Sequence, residues 1–194
     1  SLKSFIERKF SVENLEISTK SLKIDNVISF AKSLSNSPEL YILNKFVKDG
    51  FLIADLKFEF NSDGELTNNY SINGVVKDGK IDFSKKFNIK NFDFIFNFKN
   101  NNLIVRDMLL LFNDYKLSAD EIIIKKIENE FFVRGKIDQK TLTLDRNELE
   151  SYFEPFFSNF NIEKIKLSSK NIFSFKFNNK FRFDDLKIDS RIKV

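Results

Sequence analysis

Residues 87–99 read Phe87-Asn88-Ile89-Lys90-Asn91-Phe92-Asp93-Phe94-Ile95-Phe96-Asn97-Phe98-Lys99, and Asn100-Asn101-Asn102 follows directly. Four rings at a spacing of two, Phe92, Phe94, Phe96 and Phe98, share one face of an extended strand, because successive side chains of a strand alternate between its faces. The three Asn then favour a turn. Upstream, Phe87 and Ile89 keep the spacing of two, but the step from Ile89 to Phe92 is three. In a regular strand that step would send the two halves to opposite faces. A bulge at the step returns the apolar side chains to one face and curves the strand.

The same pattern (apolar, polar, apolar, two polar, apolar, polar, apolar) recurs as Phe10-Val12-Leu15-Ile17, Phe160-Ile162-Ile165-Leu167 and Phe181-Phe183-Leu186-Ile188. Looser copies are Leu103-Val105-Met108-Leu110 and Leu117-Ala119-Ile122-Ile124. About one strict copy would arise by chance at this composition, so four carry information. Between the copies the spacing of two persists: Leu52, Ala54, Leu56, Phe58 and Phe60, then Tyr70, Ile72, Gly74 and Val76. Asp63-Gly64 and Asp78-Gly79 each read as hairpin turns, as do Asn113-Asp114 and Glu128-Asn129-Glu130. Strands are expected at Leu103–Phe112, Leu117–Lys125, Phe131–Ile137, Phe160–Leu167, Ile172–Phe177 and Phe181–Val194.

Helices are few. Asp25 can cap a helix bearing Val27, Ile28, Phe30, Ala31 and Leu34 at helical spacing. Ser37-Pro38-Glu39 starts a second, with Leu40, Leu43, Phe46 and Val47 on its apolar face and Asp49-Gly50 as its end. A third begins at Asp145, with Glu148 closing a capping box and Leu149, Tyr152, Phe153 and Phe156 as its buried stripe, bent or ended by Pro155. The expected fold is mainly β with a few helices: a long, curved, twisted antiparallel sheet, a groove-like meander. The chain divides into a leading strand (1–24), a helical part (25–49), an antiparallel meander (50–140), a helix (145–158) and returning strands (160–194), all within one β-rich segment of a longer protein.

Composition narrows the chemistry. The chain has 194 residues, with 25 Phe, four Tyr, no Trp, no Cys and no His. Without His it lacks the usual general base and the commonest metal ligand; without Cys it lacks thiol catalysis and thiolate metal sites. Asp184-Asp185 and Asp120-Glu121 are neighbours on expected strands, so their carboxylates point apart. Asn61-Ser62-Asp63-Gly64-Glu65 lacks the ligand spacing of a calcium loop. The glycines at 50, 64, 74, 79 and 135 form no phosphate-cradling cluster. No enzyme site, cofactor or metal is expected. Thirty-two basic against 28 acidic residues leave a net charge of +4, spread too thinly for nucleic acid.

The Phe-dense face therefore becomes the candidate working surface. It is either a closed core, as Phe stripes usually are, or an open trough for lipid acyl chains, since a large exposed apolar surface marks a ligand or membrane site. Its candidate lining is Phe58, Phe60, Ile72, Phe92, Phe94, Phe96, Phe98, Leu110, Ile122, Ile124, Phe173, Phe175, Phe177 and Phe183. The alternative is a closed structural or interaction domain that docks envelope-protein partners by strand addition at its edges.

Three features give the chain a family resemblance. They are the helical lead Ser37-Pro38-Glu39-Leu40 to Asp49-Gly50 opening into Phe51–Phe60, the segment Tyr70-Ser-Ile72-Asn-Gly74 through Asp78-Gly79-Lys-Ile81, and the recurring strand pattern followed by Phe131-Phe132-Val133-Arg134-Gly135. In these the chain resembles AsmA-like proteins, the bridge-like lipid-transfer proteins of the bacterial envelope. The resemblance implies a folded-over β-sheet in the periplasm of a Gram-negative-type bacterium, anchored in the inner membrane by another part of the protein. It implies phospholipid acyl chains as ligands and lipid transport toward the outer membrane as the task. A start at Ser1 with no anchor helix suits a middle or C-terminal segment of such a protein.

Overall fold

The structure, a computed structural model, describes residues 13–34, 38–67, 69–84, 87–150, 163–178, 180 and 182–194. Its strands form one long, curved antiparallel sheet of ten, not closed into a barrel. Strands β1 (Asn14–Ser18) and β2 (Leu22–Lys23) both pair with β3 (Val47–Glu59). From β3 the chain meanders through β4 (Ser71–Ser84), β5 (Phe87–Lys99), β6 (Asn102–Phe112), β7 (Tyr115–Ile127), β8 (Glu130–Asp145), β9 (Lys164–Asn178) and β10 (Phe183–Lys193), each strand pairing with its neighbour in sequence. Helices α1 (Ile24–Leu34) and α2 (Pro38–Phe46) lie between β2 and β3. Residues 146–150 are also helical.

Most turns are those the sequence indicates, for a local reason. At Asn100-Asn101 (φ 49° and 60°) and Asn113-Asp114 (φ 46° and 68°) both central residues are left-handed. Such two-residue loops match the twist of the strands they join, and Asn and Asp tolerate positive φ best after Gly. The Asp63-Gly64 turn is organised by Asn61, whose Oδ1 accepts the N–H groups of Asp63 and Glu65 at 3.0 and 2.9 Å. The third helix opens on the expected capping box: Asp145 Oδ1 accepts from Glu148 N–H, and a Glu148 carboxylate oxygen accepts from Asp145 N–H, both at 2.9 Å. Its remaining residues Tyr152, Phe153, Pro155 and Phe156 lie outside the described residues, as do Ser37, Phe10, Val12, Phe160, Ile162 and Phe181.

Four expectations are corrected. Asp78-Gly79 is not a hairpin: it lies inside β4, where Asp78 (φ 53°) forms a bulge between the pairs Val76↔Phe94 and Gly79↔Phe92. Both neighbouring strands run on past it, so the chain kinks instead of reversing. Asp49-Gly50 does not end α2, which stops at Phe46; Gly50 sits in β3 with φ 132°. A Cβ there would lie 2.9 Å from both Gly79 Cα and Ile24 Cδ1, so the close approach of α1 to the sheet requires glycine. The returning strands before and after Ser168-Ser169-Lys170-Asn171 are one strand, β9, because Ser169, Lys170 and Asn171 pair with Gln139, Asp138 and Ile137 of β8, and Ser168 with Lys193 of β10. Asp25 stands in the first turn of α1, after its first residue Ile24, and is not its cap.

The anticipated bulges are present. In the two-polar step the second residue is left-handed in β5 (Asn91, φ 48°), β6 (Asp107, φ 51°) and β10 (Asp185, φ 52°), and Asp78 occupies the equivalent place in β4. Register shifts accompany them in β4, β5 and β10. Each bulge lets a strand of 11 to 14 residues keep its apolar side chains on one face.

Candidate functional site

The pairing registers align that face across the sheet. One row runs Ala54, Gly74, Phe96, Val105, Ile122, Gly135, Phe173 and Ile188, from β3 to β10. The next runs Leu56, Ile72, Phe98, Leu103, Ile124, Val133 and Phe175. All fourteen candidate residues belong to this face or to its continuation at Phe60, which bridges to Leu66. Two aromatic tracks cross it. On β5, Phe92 stacks on Phe94 at 5.8 Å and Phe94 meets Phe96 edge-on at 6.1 Å. On β9, Phe173, Phe175 and Phe177 follow one another at 6.0 and 6.2 Å, with Phe131 stacked on Phe177 at 4.7 Å and Phe183 against Phe175 at 5.6 Å.

Three glycines set the height of this surface. Gly79 pairs with Phe92, Gly74 with Phe96 and Gly135 with Phe173. A Cβ on Gly79 would fall 2.2 Å from the Phe92 ring, on Gly74 2.7 Å from the Phe96 ring, and on Gly135 3.0 Å from the Phe173 ring. The rings therefore lie down over the missing side chains. Phe92 is buried as a result, at 7 % exposure, whereas Phe183 stands on the edge strand at 67 %. The other fully covered positions of the face are mostly small residues between taller neighbours: Ala54, Val76, Val105, Ala119 and Val133. Phe58, Phe94, Phe96, Phe98, Phe175 and Phe177 are half-buried.

On the apolar face Lys126 lies over the Phe131 ring, 5.4 Å from its centroid, while cross-strand ion pairs occupy the opposite face. Arg106–Glu121 (3.2 Å), Lys57–Glu16 (2.8 Å), Lys176–Asp185 (2.7 Å) and Lys136–Asp120 (3.7 Å) are cross-strand ion pairs there. Burial works to raise the pKa of Asp93, but the Asp78 N–H at 2.8 Å and Lys77 at 3.0 Å outweigh it, and the carboxyl ends below its ordinary value. The hydrogen bond from Lys176 likewise holds Asp185 down. Both carboxylates thus stabilise bulges. Among the described residues no group of acidic side chains is placed to hold a metal ion, and no helix is long and apolar enough to cross a membrane.

No family model, curated protein or solved structure matches this chain.

Sequence reasoning missed one part of the surface. A cavity of about 690 Å³ opens toward the helical end of the sheet, walled by β6 to β10. Phe173 is the one candidate residue among the described residues of its wall, which also takes in Leu142, Leu144, Leu167 and Ile192. Leu144 is the most deeply buried side chain of the sheet, at 2 % exposure. This region escaped notice because β8 returns its leucines to the face through an irregularity between Gln139 and Leu142, a step containing no Asn, Asp or Gly.

Proposed function

We propose that this chain is a non-enzymatic segment that holds or guides phospholipid acyl chains along its Phe-lined face. The setting is that of the family it resembles: inner-to-outer membrane lipid transport or envelope maintenance in the periplasm of a Gram-negative-type bacterium. The observation that carries the reading is the apolar row continuous through eight strands, whose rings stay half-exposed. In a closed sandwich the inner faces interdigitate and such rings are fully covered. Acyl chains need little directional bonding, and a track of Phe rings and aliphatic side chains suits them by area alone. Ion pairs and lysines on the other face keep the assembly soluble on that side.

Mass spectrometry of the protein isolated under non-denaturing conditions tests this. Phospholipid should co-purify with the wild type, and Phe94→Asp and Phe96→Asp should each lose it while keeping the far-ultraviolet circular dichroism of the sheet. Lipid-free wild-type protein that also ignores lipid analogues would refute the reading.

The second reading, a partner docked by strand addition, is favoured by β10. It pairs with β9 alone among the described strands, and its eleven residues are exposed throughout. Partner-dependent protection of the β10 amides from hydrogen exchange, with no bound lipid, would select it.

A further inference from the structure

The apolar face has a polar interruption within the 690 Å³ cavity. Gln139 of β8 pairs with Ser169 of β9, and Asn171 of β9 pairs with Ser190 of β10. All four line the cavity, and every other described residue of its wall is uncharged. Their mutual bonding is incomplete. Asn171 Nδ2 donates to Ser169 Oγ at 3.0 Å and to the Ile137 carbonyl at 3.3 Å. Gln139 Nε2 donates to the Thr141 carbonyl at 3.0 Å, but its Oε1 meets no donor among the described residues, although Gln139 is only 5 % exposed. A buried acceptor left unpaired is costly, and native structures rarely retain one without a use.

We propose that this cleft anchors the uncharged, hydroxyl-bearing head of an acyl lipid, a monoacylglycerol-type glycerol ester, with Gln139 Oε1 accepting a glycerol hydroxyl hydrogen after a small rotation of its amide. The proposal rests on the reading that the apolar face takes acyl chains, and adds a selectivity to it. An acceptor calls for a donor, which an ionised carboxylate or phosphodiester lacks. Among the described residues no cation lines the cleft to offset a buried anion. The charge that Tyr115 brings to the rim is negative, since its hydroxyl donates to the Glu148 carboxylate. Ser169, Asn171 and Ser190 offer further hydroxyl and amide partners for the remaining glycerol oxygens. The tail then extends over Phe173, Leu142 and Leu167, which stand in the same wall.

The test is displacement of a fluorescent monoacylglycerol analogue from the full chain by monooleoylglycerol, oleate at pH 8, oleoyl lysophosphatidate and free glycerol. Monooleoylglycerol should compete at least tenfold better than either anion, and free glycerol should not compete. Gln139→Met, which keeps the volume and removes the acceptor, should erase that preference. Ser190→Ala, on an exposed strand, should reduce it and serves where Gln139→Met fails to fold. Equal competition by the neutral and anionic lipids, or a preference untouched by Gln139→Met or Ser190→Ala, overturns the proposal while leaving the acyl-chain reading standing. Failure of the fluorescent analogue itself to bind overturns both.

Discussion

Substituting Gly79 by Ala isolates the contact that shapes the apolar face. The added Cβ meets three carbons of the Phe92 ring at 2.2 to 2.4 Å, and those are its nearest neighbours. Gly79 has no left-handed backbone, so the change costs nothing in φ; all of the penalty comes through the ring. Phe92 at 7 % exposure must leave its place. Overpacking costs about 1–3 kcal/mol, and a Phe ring driven out of a buried site forfeits about 1.5–3 kcal/mol. Because the ring escapes by giving up burial, the two penalties overlap, and a loss of about 2–3 kcal/mol is expected. In a Phe92→Ala background the clash is gone. There Gly79→Ala should be neutral or stabilising by about 0.4–1 kcal/mol, through the lower entropy of the unfolded chain. Urea unfolding followed by far-ultraviolet circular dichroism gives the four free energies, the chain having no Trp to report by fluorescence. Their coupling should exceed about 2 kcal/mol. A Gly79→Ala penalty of the same size in both backgrounds would refute the account. Gly74→Ala supplies an internal contrast: its Cβ also meets the Ile53 carbonyl oxygen at 2.6 Å, so Phe96→Ala should not rescue it.

Two further outcomes follow from the bulges and the caps. The depressed pKa of Asp93 means that its stabilising effect is present above the unfolded carboxyl value near 3.9 and is lost as pH falls through the folded value. The wild type should therefore lose stability and Asp78 amide protection below about pH 4, while Asp93→Asn should lack that component; matching acid profiles for the two proteins would contradict this. Asp145→Ala should cost about 1 kcal/mol by opening the capping box, measured by thermal or urea unfolding, and an unchanged midpoint would count against it.

The alternation of apolar residues and the chemistry of Asn-Asn, Asn-Asp and Asp-Gly made the strand class, most turns and the bulged step readable in advance. Two kinds of feature were not readable. Asp78-Gly79 has the composition of a hairpin, and only the continuing partners β3 and β5 make it a bulge; that is tertiary context overriding a local signal. Ser168-Ser169-Lys170-Asn171 resembles a loop, yet it is held extended by pairing with β8 and β10. The same blindness hid the polar cleft, since Gln139, Ser169, Asn171 and Ser190 are far apart in sequence and become neighbours through strand register.

Geometry explains why the apolar face is only half covered among the described residues. Nine strands in the pairing path span about 38 Å at roughly 4.8 Å per step. A helix packed on a sheet covers about 10 Å, or two strands. Helix α1 packs on β3, α2 approaches β3 and β4, and the helical residues at 146–150 meet the sheet where Tyr115 bonds Glu148. These cover one margin and one end, leaving Phe94, Phe96 and Phe98 of β5 and the track on β9 half-exposed. A sheet able to close on itself would need no ligand; this one remains unclosed, with its rings lowered onto glycines and its bulges keeping one face apolar from β3 to β10. Those two devices make a low, continuous surface, which the proposed acyl-chain role requires and a sealed core does not.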